Sequence, residues 1–294
     1  MKFPYWIKKK APDQELLQEM ERLLRSLSLH TVCEEARCPN IGECFSRKTA
    51  TFMILGDVCS RNCRFCAVKK GKPLPLDIEE PKNVAEAVKR LNLDYVVVTS
   101  VTRDDLKDGG AEHFARTVKE IKNGNKRIRV EVLIPDFKGS LSSLQVVLET
   151  EPEVLNHNLE TVPRLYSEVR PQADYERSLT LLKQSKKLFP SIYAKSGLMV
   201  GLGEKFEEVV EVMKDLREVE CDILTIGQYL RPSPGHLRIK EFVRPEKFKE
   251  YEKIGISLGF SSIMAGPFVR SSYRAKEAFN QTSLLTSRRK NVKI

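Results

Sequence analysis

The sequence predicts an α/β protein whose strands form a partial (β/α)6 TIM-type barrel. Short apolar runs alternate six times with amphipathic segments along the chain. Several of the runs are rich in Val or Ile, as expected for parallel strands that are buried on both faces. A cluster of three cysteines follows the first run. Active sites in such barrels gather in the loops after the strand C-termini, so these cysteines favour a barrel.

Alternation of strands and helices implies a parallel sheet with helices on its faces, and by itself it fits a doubly wound sheet equally well. The position of the cysteine loop decides for the barrel. The predicted strands are residues 50–55, 95–99, 130–134, 154–158, 192–200 and 223–228. The predicted helices are residues 83–91, 111–121, 142–149, 175–187, 205–219 and 245–258.

The length of 294 residues permits one barrel-sized domain or two small ones. Residues before the first predicted strand and after the last predicted helix look like appended caps. We therefore predict an N-terminal extension over residues 1–48, a barrel over residues 49–261 and a C-terminal extension over residues 262–294.

The composition predicts a cytoplasmic globular protein. The chain is 41% hydrophobic and 31% charged, which is typical of soluble domains with a large core. It has no long apolar run, and its N-terminus lacks the pattern of a signal peptide. Thiols stay reduced in the cytoplasm. The seven cysteines are therefore expected to be ligands or nucleophiles rather than disulfide partners.

The formal charge of +10 suggests an acidic partner. Nucleic acid, an acidic protein and a phosphorylated or carboxylated substrate all remain open. Solvated surface is the alternative explanation for much of the excess. The basic run at residues 288–293 fits a frayed tail equally well.

Cys59, Cys63 and Cys66 form a C-x3-C-x2-C motif. They offer three thiolates in one loop, one fewer than a closed structural zinc site requires. Thiolate ligation suits zinc or an iron–sulfur cluster, and a four-iron cluster held by three cysteines keeps one iron open for a ligand. A structural zinc site is the alternative.

A second triad lies upstream, where Cys33, Cys38 and Cys44 have C-x4-C-x5-C spacing. A zinc-stabilised cap is the alternative here, with a distant fourth ligand such as His30 or Cys221. Cys221 begins a predicted buried strand, where a lone cysteine usually acts as a small core hydrophobe.

Both triads belong to a longer pattern. The first, with Phe65 before its last cysteine, resembles the signature of radical S-adenosylmethionine (SAM) enzymes. The tract 31–68, which carries both triads, and Gly-Pro-Phe-Val-Arg-Ser-Ser-Tyr at 266–273 are similar to the lipoyl synthase family. Further matching segments lie at residues 99–106, 157–162, 195–204 and 226–230.

The resemblance implies that Cys59, Cys63 and Cys66 hold a 4Fe–4S cluster that binds SAM through its open iron. Reductive cleavage of SAM would yield methionine and a 5′-deoxyadenosyl radical, and the cofactor carries such chemistry. The implied reaction is insertion of two sulfur atoms, at C6 and C8 of a protein-bound octanoyl-lysine. The chain would thus be a sulfurtransferase of lipoate biosynthesis.

The resemblance also implies a second, auxiliary 4Fe–4S cluster on Cys33, Cys38 and Cys44, which serves as the sulfur source. The family completes this cluster with a serine oxygen. That ligand is expected at Ser272, which joins the predicted catalytic set, with Ser271 as the alternative. An alcohol oxygen is a hard donor that matches soft iron–sulfur chemistry poorly, which suits a ligand that must leave.

Several SAM contacts are implied as well. Thr99 and Ser100 match a segment that holds the methionine amino group. Asn158 and Glu160 are expected to accept hydrogen bonds from the ribose hydroxyls. A helix-capping pair is the alternative for Asn158 and Glu160.

Three more residues complete the implied SAM site. Lys195 is expected to pair with the methionine carboxylate, Tyr229 to line the adenine edge, and Phe65 to lie at the cofactor. The chain departs from many family members in having Pro-Gly before His236, so we leave Arg231 and His236 out of the predicted catalytic set.

The partners implied are an acidic octanoylated lipoyl carrier domain, an electron donor such as ferredoxin or flavodoxin, and an iron–sulfur cluster carrier. No nucleic acid or membrane is expected, and the chain is expected to be a monomer. A radical SAM sulfur inserter acting on tRNA is the alternative among enzymes, although little chain follows residue 273 to bind RNA. A zinc-stabilised nucleic-acid-binding protein would need complete four-ligand sites and more stacking aromatics than the 7% found.

Overall fold

The computed structural model describes residues 3–9, 13–36, 38–46 and 51–291. Its strands are β1 His30–Thr31, β2 Thr51–Ile54, β3 Val58–Cys59, β4 Lys69–Lys70, β5 Tyr95–Ser100, β6 Arg129–Leu133, β7 Val154–Asn156, β8 Tyr193–Val200, β9 Ile223–Gln228 and β10 Ser262–Gly266. Its α-helices are α1 Gln14–Ser26, α2 Val32–Glu35, α3 Ile41–Ser46, α4 Glu80–Arg90, α5 Ala111–Gly124, α6 Leu141–Leu148, α7 Tyr166–Val169, α8 Tyr175–Leu188, α9 Phe206–Glu218, α10 Pro245–Leu258 and α11 Ala275–Asn291.

The main sheet has the strand order β1-β2-β5-β6-β7-β8-β9-β10. Strands from β2 to β10 in this order pair in parallel, and β1 pairs with β2 in antiparallel fashion. All six predicted strands and all six predicted helices are present, with ends that differ by three residues or fewer. The predicted partial barrel is therefore confirmed.

The sheet has one more parallel strand than predicted. β10 pairs with β9 from Ser262 to Gly266, beyond the expected end of the barrel. Its sequence, Ser-Ile-Met-Ala-Gly, has no long apolar run, and four of its five residues are only half-buried. A strand of this kind has little of the hydrophobic pattern by which strands are recognised.

The two faces of the sheet have different neighbours. On one face, alternate residues such as Val96, Val98 and Val130 belong to the main core beneath the surrounding helices. On the other face, Tyr95 packs against Phe279 of α11, with ring centroids 5.8 Å apart. The same face of the sheet also carries three polar side chains that are joined by hydrogen bonds, those of Glu131, Asn156 and Lys195. The second face therefore combines an apolar part under α11 with a polar part nearer the strand C-termini.

Gly227 in β9 brings the chain after β10 close to the sheet. A Cβ at this position would lie 2.0 Å from the backbone oxygen of Val269. Only glycine permits that approach. The Arg-Ser-Ser-Tyr segment that follows Val269 is thereby held against the C-terminal end of β9. None of the helices in the described ranges is long and apolar enough to cross a membrane.

Candidate active site

The C-x3-C-x2-C cysteines lie in one loop that follows β2. β3 ends at Cys59, and its pairing with β4 closes the loop, where Gly71 N donates to Cys59 O at 3.1 Å. The backbone amides of Arg61 and Thr102 donate to Cys59 Sγ at 3.5 and 3.3 Å. Both amides therefore point at the sulfur atom that would bind metal.

Burial of this loop opposes ionisation of Cys63 and Cys66 in the absence of metal. It raises the pKa of Cys66 to about 12 and also raises the pKa of Cys63. All three cysteines of the loop are free thiols. Across the described ranges, no three His, Cys, Asp or Glu side chains converge as tightly as a single metal ion requires. The all-sulfur donor set fits a four-iron cluster with one open iron, whose positive charge would stabilise the thiolates.

Arg61, between the first two cysteines, anchors the loop to the barrel. Its guanidinium donates to both carboxylate oxygens of Asp104, at 2.7 and 2.9 Å, and to Asp136 Oδ1 at 2.6 Å. Arg177 donates to the other oxygen of Asp136 at 2.9 Å. Burial is the largest single influence on the pKa of Asp136 and would raise it, but the hydrogen bond and the charge of Arg61, with a smaller contribution from the backbone amide of Lys138, together hold that pKa well below its usual value. Both members of the Arg61–Asp136 pair are thus charged.

His236 braces the same loop from the other side. Its Nε2 lies 3.0 Å from the backbone oxygen of Cys66, and its Nδ1 lies 2.8 Å from Ser233 Oγ. A carbonyl only accepts, so Nε2 carries the proton and Nδ1 accepts from the serine hydroxyl. Arg231 Nε donates to His236 O at 2.9 Å. The two residues left out of the predicted catalytic set therefore support the cysteine loop.

Asn158 and Glu160 come after β7 and lie beside each other. Asn158 Nδ2 donates to Glu160 Oε1 at 3.0 Å. Glu160 has a φ of +66°, and its backbone bonds Gly197 O and Met199 N in β8 at 2.9 and 2.8 Å. Burial raises the pKa of Glu160, and the charge of Arg170 opposes that shift. The sheet thus holds an amide and a carboxyl group side by side.

Gly197 leaves room for this pair. A Cβ there would lie 2.8 Å from Asn158 Oδ1 and 2.9 Å from Thr225 Oγ1.

Thr99 and Ser100 lie at the end of β5, and their hydroxyl groups differ in whether they already have a hydrogen-bond partner. Thr99 Oγ1 donates to Leu133 O at 2.9 Å, whereas the buried Ser100 Oγ has no hydrogen-bond partner among the described residues. Ser100 therefore retains a hydroxyl for a ligand.

Arg170 is a site residue that the sequence analysis missed. Its Nη1 donates to the backbone oxygens of Asn158 and Leu159 at 2.9 and 3.2 Å, while its buried Nε has no partner in the described part of the chain. Its charge also acts on the thiol of Cys63, whose pKa it lowers against the effect of burial. Arg170 thus supplies a cation between the cysteine loop and Glu160.

His157 lies next to this group and is neutral. Burial lowers its pKa to about 4, and the charge of Arg170 adds to that effect. Its Nδ1 lies 2.9 Å from Ile134 O, so Nδ1 carries the proton. Its buried Nε2 has no partner among the described residues.

We expect His157 to make stability fall at acid pH. Below pH 6.5 the unfolded histidine takes up a proton that the folded one refuses until about pH 4. The free energy of unfolding should therefore fall by about 1.4 kcal/mol for each pH unit in that interval. Urea unfolding at about pH 7 and about pH 5.5 measures this loss. His157→Asn keeps a donor for Ile134 and should lose less stability on acidification, and equal losses would contradict the assignment.

The remaining predicted SAM contacts are Lys195, Tyr229 and Phe65. Lys195 Nζ donates to Glu131 Oε1 at 2.8 Å, and its side chain is 1% exposed, so its charge is already neutralised. Tyr229 is buried after β9, and its hydroxyl donates to Leu237 O at 2.9 Å. Phe65 is half-buried and packs against the main core. The structure does not place Lys195 with Asn158 and Glu160 as a free cation.

Two cysteines of the second triad lie on short helices, and Cys38 lies in the chain between them. Thr31 caps α2, where its Oγ1 accepts from Glu34 N, and this cap places Cys33 in the first turn. Cys38 N donates to Cys33 O at 3.0 Å. Burial and the neighbouring Cys38 raise the pKa of Cys33 to about 12. Cys44 lies in α3. As in the first triad, three sulfur donors close together in the chain fit a positively charged iron–sulfur group.

Ser272 is connected to this triad through Thr51. The Thr51 backbone hydrogen-bonds the Cys33 thiol, and Thr51 Oγ1 donates to Ser272 Oγ at 2.8 Å. A cavity of about 360 Å³ is lined by both Cys44 and Ser272. Ser271 points elsewhere, because its Oγ donates to Asn158 Oδ1 at 2.8 Å. The two serines thus serve different groups of residues.

Comparison with known proteins identifies the class first. Residues 53–216 match the family model described as the radical SAM superfamily, and residues 1–38 match the N-terminal domain of lipoyl synthase. A crystal structure of methylornithine synthase has a similar fold, with a TM-score of 0.56 at 16% identity over 82% of this chain and 75% of that one. The chain is a member of the radical SAM superfamily, which implies a 4Fe–4S cluster and SAM.

The narrower family follows from sequence identity. The chain is 60% identical to a lipoyl synthase of Caldanaerobacter subterraneus subsp. tengcongensis, over 92% of this chain and 95% of that protein. It is also 60% identical to a lipoyl synthase of Caldicellulosiruptor saccharolyticus, over 94% and 97% of the two chains. The chain belongs to the lipoyl synthase family.

Proposed function

We propose that this protein inserts two sulfur atoms, at C6 and C8, into an octanoyl group carried on a lysine of a lipoyl carrier domain. The observation that carries the proposal is the presence of two separate cysteine triads, of which the second connects to Ser272 through Thr51. Two sulfur insertions need two radical events and a sulfur source. A single SAM-binding triad would account for the radical events but not for the source of sulfur.

When bound, the SAM cluster supplies the electron for radical formation and the auxiliary cluster supplies sulfur. The residues of the chain would bind and orient these groups. Cys59, Cys63 and Cys66 hold the first cluster, and Arg61 keeps their loop on the barrel.

Asn158 and Glu160 would accept hydrogen bonds from the ribose hydroxyls of SAM, because their amide and carboxyl groups are hydrogen-bonded to each other and Asn158 Oδ1 lies beside Gly197. The free hydroxyl of Ser100 would be available to the methionine amino group of bound SAM, and Arg170 would supply the cation for the methionine carboxylate. Arg170 takes the role that the sequence suggested for Lys195, whose charge Glu131 neutralises.

Cys33, Cys38, Cys44 and Ser272 hold the auxiliary cluster. Thr51 contacts both Cys33 and Ser272, which supports this grouping. The serine oxygen would be the weakest of the four ligands for soft iron, which suits a ligand that must be labile at a sulfur-donating cluster.

The partner is an octanoylated carrier domain with an acidic surface. The net charge of +10 supports an acidic partner through favourable long-range attraction. An electron donor such as ferredoxin or flavodoxin reduces the first cluster, and a cluster carrier restores the second. We propose that the enzyme works as a monomer.

Anaerobic reconstitution followed by a turnover assay tests the function. About eight irons and eight sulfides per chain are expected for two four-iron clusters. With SAM, a reductant and an octanoylated lysine peptide, the mass of the peptide should increase by two sulfur atoms in place of two hydrogens. The same peptide without its octanoyl group is the control. SAM cleavage with no thiolated peptide, but with thiolation of a tRNA, would establish the alternative substrate.

A further inference from the structure

Ser271 and Ser272 are neighbours in the chain, but their hydroxyls belong to two different hydrogen-bond networks. Ser271 Oγ donates to Asn158 Oδ1 and accepts from Asn156 Nδ2, both at 2.8 Å. Ser272 Oγ accepts from Thr51 Oγ1 at 2.8 Å. One serine therefore contacts the barrel interior, and the other contacts the strand that follows the second cysteine triad.

The contacts of Ser271 continue to the residues proposed to hold the ribose. Asn158 Nδ2, on the same amide that Ser271 contacts, donates to Glu160 Oε1 at 3.0 Å. Asn156 also donates to Glu131 Oε1 at 3.1 Å. The hydroxyl proton of Ser271 is thus committed to Asn158. A serine that ligates iron gives up this proton, so ligation by Ser271 would break its bond to Asn158.

The segment around the two serines is held to both parts of the molecule. Phe268 O accepts from Asn40 Nδ2 at 2.7 Å, and Tyr273 OH donates to Glu43 Oε1 at 2.9 Å, so the segment contacts the region of the second triad. Val269 O packs on Gly227 of β9, with no room for a Cβ between them. The segment is therefore anchored both at the second triad and at the sheet.

We propose that Ser271 is a positioning residue of the SAM site, and that the Ser271–Ser272 peptide couples occupancy of the auxiliary site to SAM binding. This inference rests on the proposed function. Ser271 orients the amide of Asn158 so that Nδ2 faces Glu160 and Oδ1 is held in place. Ser272 anchors the next peptide at the second triad through Thr51.

Equilibrium SAM binding and iron content of anaerobically reconstituted protein separate the two roles. Ser271→Ala should raise the Kd for SAM about tenfold, which corresponds to about 1.4 kcal/mol, with iron content unchanged. Ser271→Thr keeps the hydroxyl and should retain affinity. Ser272→Ala should reduce auxiliary iron. Asn158→Ala should weaken SAM binding, and Ser271→Ala added to it should cause no further loss, because both changes remove the same interaction.

Coupling is tested with Cys33→Ala, which lacks a ligand of the auxiliary cluster. Reciprocal linkage requires that this change alter the Kd for SAM if the sites are coupled. We expect SAM binding to weaken about threefold in the parent chain, and not at all when Ser271→Ala is also present. An unchanged Kd in Cys33→Ala would refute the coupling.

Two outcomes would overturn the role of Ser271 itself. One is normal SAM affinity in Ser271→Ala, and the other is loss of auxiliary iron in that variant with SAM affinity retained, which would make Ser271 the ligand. Failure of the parent chain to bind SAM or to hold two clusters would instead overturn the proposed function. The parent chain measured alongside the variants therefore distinguishes the two failures.

Discussion

Replacement of Cys59 by alanine is expected to abolish SAM cleavage, whereas replacement of Cys33 is expected to abolish only sulfur insertion. Cys59 ends β3 and accepts backbone hydrogen bonds from two loop amides, so no neighbouring sulfur can take its place. Each variant should retain about four irons per chain, half the content of two clusters. Chromatography of 5′-deoxyadenosine and mass analysis of an octanoylated peptide measure the two activities separately.

Cys221→Ala is the matched control for both variants. Cys221 is fully buried two residues before β9, and its thiol lies 3.6 Å from Ala194 O and 3.4 Å from Ile223 O. This variant removes a thiol from the core and should keep the iron content and both activities. If Cys59→Ala and Cys33→Ala instead lost all iron together, the two triads would be sharing one metal site, and the assignment of two clusters would be wrong.

The barrel could be predicted because buried parallel strands have a characteristic composition. β5 and β9 consist largely of apolar or β-branched residues, and both were located within one residue at each end. β10 was missed because its Ser-Ile-Met-Ala-Gly sequence lacks that pattern. α1 was not assigned either, although Leu17, Met20 and Leu24 have the spacing of an amphipathic helix. The division of the chain at residue 262 remains a prediction.

The candidate site was only partly predictable. The ligands of each triad are close in sequence, so their spacing was visible. Arg61 and Asp136 are 75 residues apart, and only the fold brings them together. Lys195 was assigned to the methionine carboxylate from the resemblance alone, and that role remains a prediction; the feature of the sequence that indicated a protein partner for it was Glu131. A lone carboxylate in an otherwise apolar strand requires a buried partner, and the structure supplies Lys195 at 2.8 Å.

Loss of the Arg61 side chain is expected to destabilise both the barrel and its cysteine loop. The side chain of Arg61 is 5% exposed and that of Asp136 is 0% exposed. Removal of one partner from such a pair typically costs about 3–5 kcal/mol, because it leaves a buried charge uncompensated. Arg177 still contacts Asp136, so we expect Arg61→Ala to lower the free energy of unfolding by about 3 kcal/mol. Urea unfolding measures the loss, and iron analysis should show fewer irons at the SAM-cluster triad.

Arg61→Lys tests geometry separately from charge. A lysine ammonium cannot reproduce the three hydrogen bonds of the planar guanidinium, of which two go to Asp104 and one goes to Asp136. We therefore expect Arg61→Lys to recover only part of the stability and iron content.

Arg164→Ala is the control that separates burial from the chemistry of the pair. Arg164 also donates two hydrogen bonds to one carboxylate, at 2.7 and 2.8 Å from Glu208, but its side chain is 52% exposed. Water screens this pair, so its loss should cost much less stability than the loss of Arg61 and leave the iron content unchanged. An Arg61→Ala variant no less stable than Arg164→Ala would mean that the cysteine loop holds its position without the buried ion pair. In that case the contacts of His236 and the β3–β4 pairing would be enough to hold the cysteine loop in place.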